Sequence, residues 1–567
     1  MTPRRLAASL AFVAFVAAAP SLAQDAPPLA ERTAQTDLPL EGPRAATHIE
    51  HASLSISVDP ATRSIAGRVL HKVIATADTA QLQFDLDPRY RIAEIEVEDV
   101  PVPAADWRNP DGLLTIDLPR AMRAGESALV SIVYDGTPHV AANPPWDGGF
   151  TWATAPGGEP WIATSIQGEG CDMFWPCIDH SAHRSASLDL LVTVPDGLVA
   201  AGNGRLVGEY DNRNGSRTFH WQARDPSNYG IALQIGPYEL AERSYASRYG
   251  NEIPLMFWHL PGHGEEAERL LGELADQIAF FEETVGPYPF GDEKAGVAET
   301  PHLGMEHQTI NAYGNQFRRD PLGYDWLLAH EFAHEWFANQ LTHATLNHMW
   351  LHEGIGTWMQ PLYLGWARGE MFYDAAMWEN RKAILSRVPL VPPDSEHPDY
   401  GDAEAGWGTD IYYKGAWVMH TLRTLVGDEV LFPALTEMTY GTTDPLPGTI
   451  RPVNRTTDDF RRILEAHGAP DLRWFFDAYF YQAALPRLEV VQDGSTLALS
   501  WQTPSSLAFA MPVEVRVGDE VVTVPMPGGR GSVELPDAQT SWQADPRNRI
   551  LMQDDAIDAW RTAERRR

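Results

Sequence analysis

A chain of 567 residues can hold several hydrophobic cores, and its length sets a scale of about three or four domains. Its 44% hydrophobic and 21% charged residues are the composition of an ordinary globular protein. A net charge of −34 argues against nucleic acid and anionic membrane surfaces as partners.

Residues 1–23 read as a secretory signal: Arg4 and Arg5 form a basic start, an apolar run follows to Ala19, and Ser21-Leu22-Ala23 offers a small-residue cleavage site. The run is too short to span a bilayer comfortably, and no cysteine follows the site to carry a lipid. The expectation is a mature start near Gln24 and a periplasmic or secreted protein without a membrane anchor. Residues 24–44, rich in Ala, Pro and polar side chains, are expected to form a poorly ordered leader.

From Thr47 the hydrophobic period becomes two, as in Leu54, Ile56 and Val58, then Leu82, Phe84 and Leu86, then Val130, Ile132 and Tyr134. Turn clusters such as Asn109-Pro110-Asp111-Gly112 separate these runs, so residues 45–242 predict an antiparallel β-domain. Within it lie the chain's two cysteines, Cys171 and Cys177. They read either as a disulfide of an exported protein or as two small buried residues.

Residues 243–485 change character. Ala267, Leu270, Leu271, Leu274, Ile278 and Phe281 fall at helical spacing, closed by Gly286-Pro287. An edge strand is expected at Gly304-Met305-Glu306, and helices at 412–426, 458–467 and 471–481. The aromatic cluster Trp474, Phe475, Phe476 and Phe480 reads as core. From 486 to 567 the period returns to two, through Leu497, Leu499 and Trp501 and then Val513, Val515 and Val517, which predicts a small β-sandwich with a frayed end. The fold class is thus α+β and multidomain.

The chemistry concentrates in His330-Glu331-Phe332-Ala333-His334, an H-E-x-x-H inside an apolar helical run. Positions four apart share a helix face, so both imidazoles can reach one metal ion, with Glu331 close beside it. Tetrahedral Zn²⁺ needs a third protein ligand and one open position. Glu353, in Trp350-Leu351-His352-Glu353-Gly354, opens a second apolar segment that can return against the first and supply that ligand; Pro361 limits or kinks this segment.

H-E-x-x-H, eighteen residues, then Glu in W-L-x-E-G resembles the aminopeptidase N family of zinc metallopeptidases, which includes the leukotriene hydrolases. Gly304-Met305-Glu306-His307 is similar to that family's G-x-M-E-N motif, and Tyr412-Tyr413-Lys414-Gly415 to its Y-x-K-G motif. The resemblance implies a thermolysin-like, mainly helical catalytic domain holding one zinc ion per chain on His330, His334 and Glu353. It implies Glu331 as general base and Tyr412 as donor to the transition-state oxyanion, with Tyr413 the fallback. It implies Glu306 as anchor for a free α-ammonium. Gln167 is the implied β-domain residue that helps bind the substrate's amino end, and Glu169 competes for that role. His307 stands where the family has Asn, which changes the donors available beside the amine. His343, His348 and His352 read as neighbours of the site or as surface residues, and not as ligands. The implied activity is removal of first residues from peptides with a free N-terminus; an endopeptidase or an epoxide hydrolase on the same zinc site is the alternative. Larger members carry a helical domain over the site, and no room for one remains here, so a more open cleft is expected.

Overall fold

A computed structural model of the chain describes residues 29–393 and 407–564, and the signal expected at 1–23 lies outside them. The first layer is an eight-stranded sheet in which Thr47–Asp59 pairs antiparallel with Ser64–Ala75, with Leu54 opposite Val69. On its other edge the same strand pairs in parallel with Ser187–Pro195, Leu54 opposite Leu190, so the sheet is mixed and not purely antiparallel. Alternation does its expected work: Leu54, Ile56 and Val58 are buried along with Val130, Ile132 and Tyr134 from Ser127–Gly136. A four-stranded and a three-stranded sheet complete this domain.

Cys171 and Cys177 are joined in a disulfide, and both are fully buried. The backbone of Cys177 bridges to Asp85, which ties the loop that follows Gln167 to the sheet.

The leader departs from expectation over its described part. Residues 29–44 are packed against the β-domain, with Arg32 and Arg44 both paired to Asp85 at 2.8 and 3.0 Å and Arg44 also donating to the Asp179 carbonyl. The Asp37 carboxylate accepts from the Ser181 N–H and hydroxyl and from the Leu346 N–H, the last in the segment that leads to Glu353. Ion pairs to buried acidic groups order a stretch whose Ala- and Pro-rich composition carries no periodic signal.

A five-stranded sheet opens the middle region. Glu239–Ala246 and Glu252–His259 lead into Ala295–Glu299 and Asn311–Tyr313, and Gly304–Met305 lies at the edge, as anticipated. The 242/243 division therefore falls inside a strand, because the hairpin 239–259 joins the sheet that carries the cleft. The helix Gly264–Thr284 covers the sheet with the six apolar residues at its expected spacing. The helices Trp326–Ala333, Trp350–Arg368 and Asp410–Val426 build the rest of the cleft, and Trp336 stacks on Phe281 with ring centres 4.1 Å apart. Pro361 sits within Trp350–Arg368 without ending it. Thr457–Ala466 and Arg473–Tyr479 follow, the first opened by a capping box between Thr456 and Asp459.

Two three-stranded sheets form the C-terminal unit, followed by a helix, Asp555–Glu564; the frayed end expected at 565–567 lies outside the described residues. Its core is continuous with that of the middle region: Phe509 meets Trp474 edge-on at 5.1 Å, and Trp474, Phe475, Phe476 and Phe480 serve packing. No described helix is long and apolar enough to cross a membrane.

Candidate active site

The first turn of the Trp326–Ala333 helix is capped by Asp325, whose side chain accepts from the Leu328 N–H and from the Tyr313 hydroxyl. That anchorage sets His330 and Glu331 on the face toward the cleft. His334 occupies the helix's C-terminal cap in helical geometry, so the i, i+4 relation survives although regular helix ends one residue earlier. Its Nδ1 donates to the Phe337 carbonyl at 3.0 Å, which fixes the ring and leaves Nε2 facing His330.

Three donor atoms then converge. The two Nε2 atoms are 3.3 Å apart, and Glu353 Oε2 lies 3.4 Å from that of His330 and 3.5 Å from that of His334. Ligands at about 2.0–2.1 Å from a tetrahedral centre stand roughly 3.3–3.4 Å from one another, so this set fits a zinc ion without rearrangement. Two imidazoles and one carboxylate are also the donor chemistry that zinc takes in sites with an open position.

Glycines decide how closely the pieces meet. A side-chain carbon at Gly354 would lie 2.9 Å from Gly415 Cα, and one at Gly415 would lie 2.6 Å from Gly354 Cα. Backbone contact between the Trp350–Arg368 and Asp410–Val426 helices thus brings Glu353 and Tyr412 to one cleft. Lys414 pins the second helix from behind by donating to the carbonyls of Gln482 and Ala483. Gly304 makes room for Glu331, whose Oε1 would be 2.3 Å from any carbon added there, and Gly356 makes room for the ring of His334. Replacing Gly415 with Ala should force the two helices apart, costing about 1–3 kcal/mol of stability and weakening zinc binding; melting curves and a zinc titration check both.

Glu306 and Glu331 are buried beside this group. Their carboxylate oxygens and a ring nitrogen of His334 lie within 4.8 Å of one another. Burial pushes the Glu331 carboxyl well above the ordinary carboxylate range, and the Glu306 and Glu353 carboxylates push it the same way. Burial likewise raises Glu306 to about 7, with His334 opposing and Glu353 reinforcing.

Gln167 reaches in from the β-domain. Its Nε2 donates to Glu306 Oε1 at 2.8 Å and approaches Glu353 Oε1 at 3.5 Å. Glu169 is engaged elsewhere, accepting from the Gly148 N–H. Tyr412 and Tyr413 both line the cleft, and the Tyr412 ring lies 5.9 Å from that of His330. The cleft has a volume of about 250 Å³, and its lining includes the exposed Trp146 and Thr409, so it reaches the surface. Among the described residues no helical domain roofs it.

The remaining histidines sort themselves by packing. His307 is fully buried behind the cleft with Nδ1 3.1 Å from Gln234 Nε2, so it does not stand beside an incoming amine as its place in the motif suggested. His352 and His343 are also buried, their rings stacked at 4.4 Å, and His352 Nε2 accepts from the His343 N–H. His348 meets the Thr457 hydroxyl. None joins the donor set. One neighbour of Glu306 escaped sequence reading: Tyr229, whose hydroxyl donates to Glu306 Oε1 at 3.2 Å. It lies in the turn Ser227-Asn228-Tyr229-Gly230, where only its aromatic character among small polar residues set it apart.

Comparison with known proteins covers part of this site. A model of the "Peptidase family M1 domain" matches residues 315–479. Leucine aminopeptidase 2 of Aspergillus niger is 24% identical over 409 residues, 68% of this chain and 62% of that protein. Aminopeptidase M1-B of Oryza sativa subsp. japonica is 23% identical over 57% of this chain and 37% of its own length. Human aminopeptidase N is 24% identical over 47% of this chain and 30% of its own. The chain thus spans less than two thirds of each of these relatives. Among solved structures, a mutant M1 zinc metallopeptidase from Deinococcus radiodurans bound to a Tyr-Ser-Ala substrate superposes with a TM-score of 0.65 at 22% identity, covering 80% of this chain and 98% of that one. A two-domain M1 zinc metallopeptidase mutant bound to L-tryptophan gives 0.65 at 23% identity, over 80% and 99%. The likeness to these two structures is one of fold.

Proposed function

We propose that the chain is a member of the aminopeptidase N family of zinc metallopeptidases and that it hydrolyses the first peptide bond of peptides that carry a free amino end. The observation that carries this reading is the place of Glu306: a buried carboxylate, held by Gln167, in the same cleft as the His330, His334 and Glu353 donor set. A carboxylate there pairs with an α-ammonium and holds the first residue in register with the scissile bond. An endopeptidase needs no such group.

His330, His334 and Glu353 would hold the zinc ion. Such an ion supplies Lewis acidity, polarising a carbonyl and easing the deprotonation of water. Glu331 is the base that accepts the proton of the attacking water and passes it to the departing amine. The Tyr412 hydroxyl donates to the oxyanion that develops on the carbonyl. Peptides with a free N-terminus are the substrates. The Cys171–Cys177 disulfide supports export to the periplasm or beyond, since such bonds persist in oxidising compartments.

The test is a panel of aminoacyl anilides beside the same compounds with acetylated amines. Hydrolysis of the free forms alone is the expected result. Equal hydrolysis of the blocked forms would make this an endopeptidase, and inactivity of the zinc-loaded protein would remove the enzymatic reading.

A further inference from the structure

We propose that Tyr229 is a positioning residue for the amine anchor: its hydroxyl, with the Gln167 amide, holds one oxygen of Glu306 so that the other is presented to the substrate's ammonium. The inference rests on the aminopeptidase reading and adds to it a residue outside every motif named above.

The argument begins with convergence. Gln167 Nε2 at 2.8 Å and Tyr229 Oη at 3.2 Å both donate to Glu306 Oε1, and both come from the β-domain while Glu306 belongs to the catalytic sheet. A carboxylate on a flexible side chain has rotations to lose when it binds a cation. Two donors on one oxygen remove those rotations before the substrate arrives, which is how a preorganised site gains affinity. Donation to an ionised carboxylate also makes each bond stronger than a neutral one.

Tyr229 is itself held firmly enough to do this. Its ring stacks on His352 at 6.2 Å with an angle of 18° between planes, and His352 stacks in turn on His343. The turn that carries it is clamped on both sides. The Ser227 N–H donates to Gln308 Oε1, the Asn228 amide to the Ile178 carbonyl, and the Gly230 carbonyl accepts from both Asn203 and the Gln308 N–H. His352 immediately precedes Glu353 in the chain, so the ring that supports Tyr229 is fixed to the segment that supplies the third metal donor. Amine anchor and metal group are thereby set at a constant separation, and that separation defines where the first peptide bond must lie.

Tyr229→Phe removes the hydroxyl and keeps the stacked ring. The expected result is a KM for free-amine anilides raised about tenfold with kcat changed less than about twofold, because the lost bond orients the anchor and does not touch the reacting carbonyl. The affinities of a peptide and its N-acetyl form, measured as competitive inhibitors, should converge by the same factor. In a Glu306→Ala background the Tyr229→Phe change should have no further effect on either quantity. An unchanged KM in Tyr229→Phe overturns the proposal, as does equal weakening of free and acetylated peptides or the same loss in the Glu306→Ala background. Zinc stoichiometry and the melting temperature, read on each variant, separate loss of orientation from loss of fold. Should the wild-type protein itself show no preference for free over acetylated amines, it is the aminopeptidase reading that fails, and this appears before any variant is made.

Discussion

Glu331→Gln is expected to lower kcat about 1,000-fold while the protein still binds one zinc ion per chain. Gln fills the same space beside Gly304 but cannot take a proton from water, so the variant keeps the shape of the cleft and loses the base. Zinc is retained because Glu331 is not among the three atoms that converge, those of His330, His334 and Glu353. Stability provides a second, independent readout. A buried carboxyl whose proton affinity is raised on folding destabilises the fold as pH rises past its unfolded pKa, and here burial and the Glu306 and Glu353 carboxylates all act in that direction. Removing the charge should therefore leave the melting temperature of the metal-depleted protein at pH 7 no lower than that of the parent. Steady-state kinetics on an aminoacyl anilide, metal analysis and a melting curve check the three statements. A variant that turns over at a near-normal rate would take Glu331 out of the mechanism.

Glu353→Gln acts on the other half of the site. Zinc affinity should fall by about 100-fold or more, since even residues that only support a ligand typically contribute 10- to 100-fold. The neutral amide is a poorer donor than a carboxylate, and it no longer offsets the charge of a divalent ion brought into a buried site. Gln167, which bridges Glu306 and Glu353, would also lose one of its two carboxylate neighbours. Competition with a chromophoric chelator measures the affinity, and excess zinc should restore part of the activity. Unchanged affinity would remove Glu353 from the donor set.

Much of this site is legible in the sequence because helices make short-range promises. A spacing of four put His330 and His334 together, and the turn between them carried Glu331 with it. Alternation likewise marked Leu54, Ile56 and Val58 as one buried face, whichever partner strands they found. Long-range arrangements carried no comparable signal. Pairing of Thr47–Asp59 in parallel with Ser187–Pro195 joins segments more than a hundred residues apart, and the ordering of residues 29–44 rests on ion pairs with Asp85, which a composition rich in Ala and Pro conceals.

The glycines illustrate the division most clearly. Gly354 and Gly415 were visible as letters in two motifs, yet nothing in either motif says that their backbones touch. Tyr229 is the opposite case, a residue in no motif that lies against Glu306 because the β-domain is packed there. By itself the sequence determined which residue types could ligate a metal, their helical spacing and the alternating faces of the sheets, since each depends on neighbours within a few positions. Only the tertiary structure decided which carboxylates share the cleft, that His307 turns away from it and that the Tyr229 hydroxyl reaches Glu306, because those outcomes depend on the packing of segments distant in the chain, where local pattern has no reach.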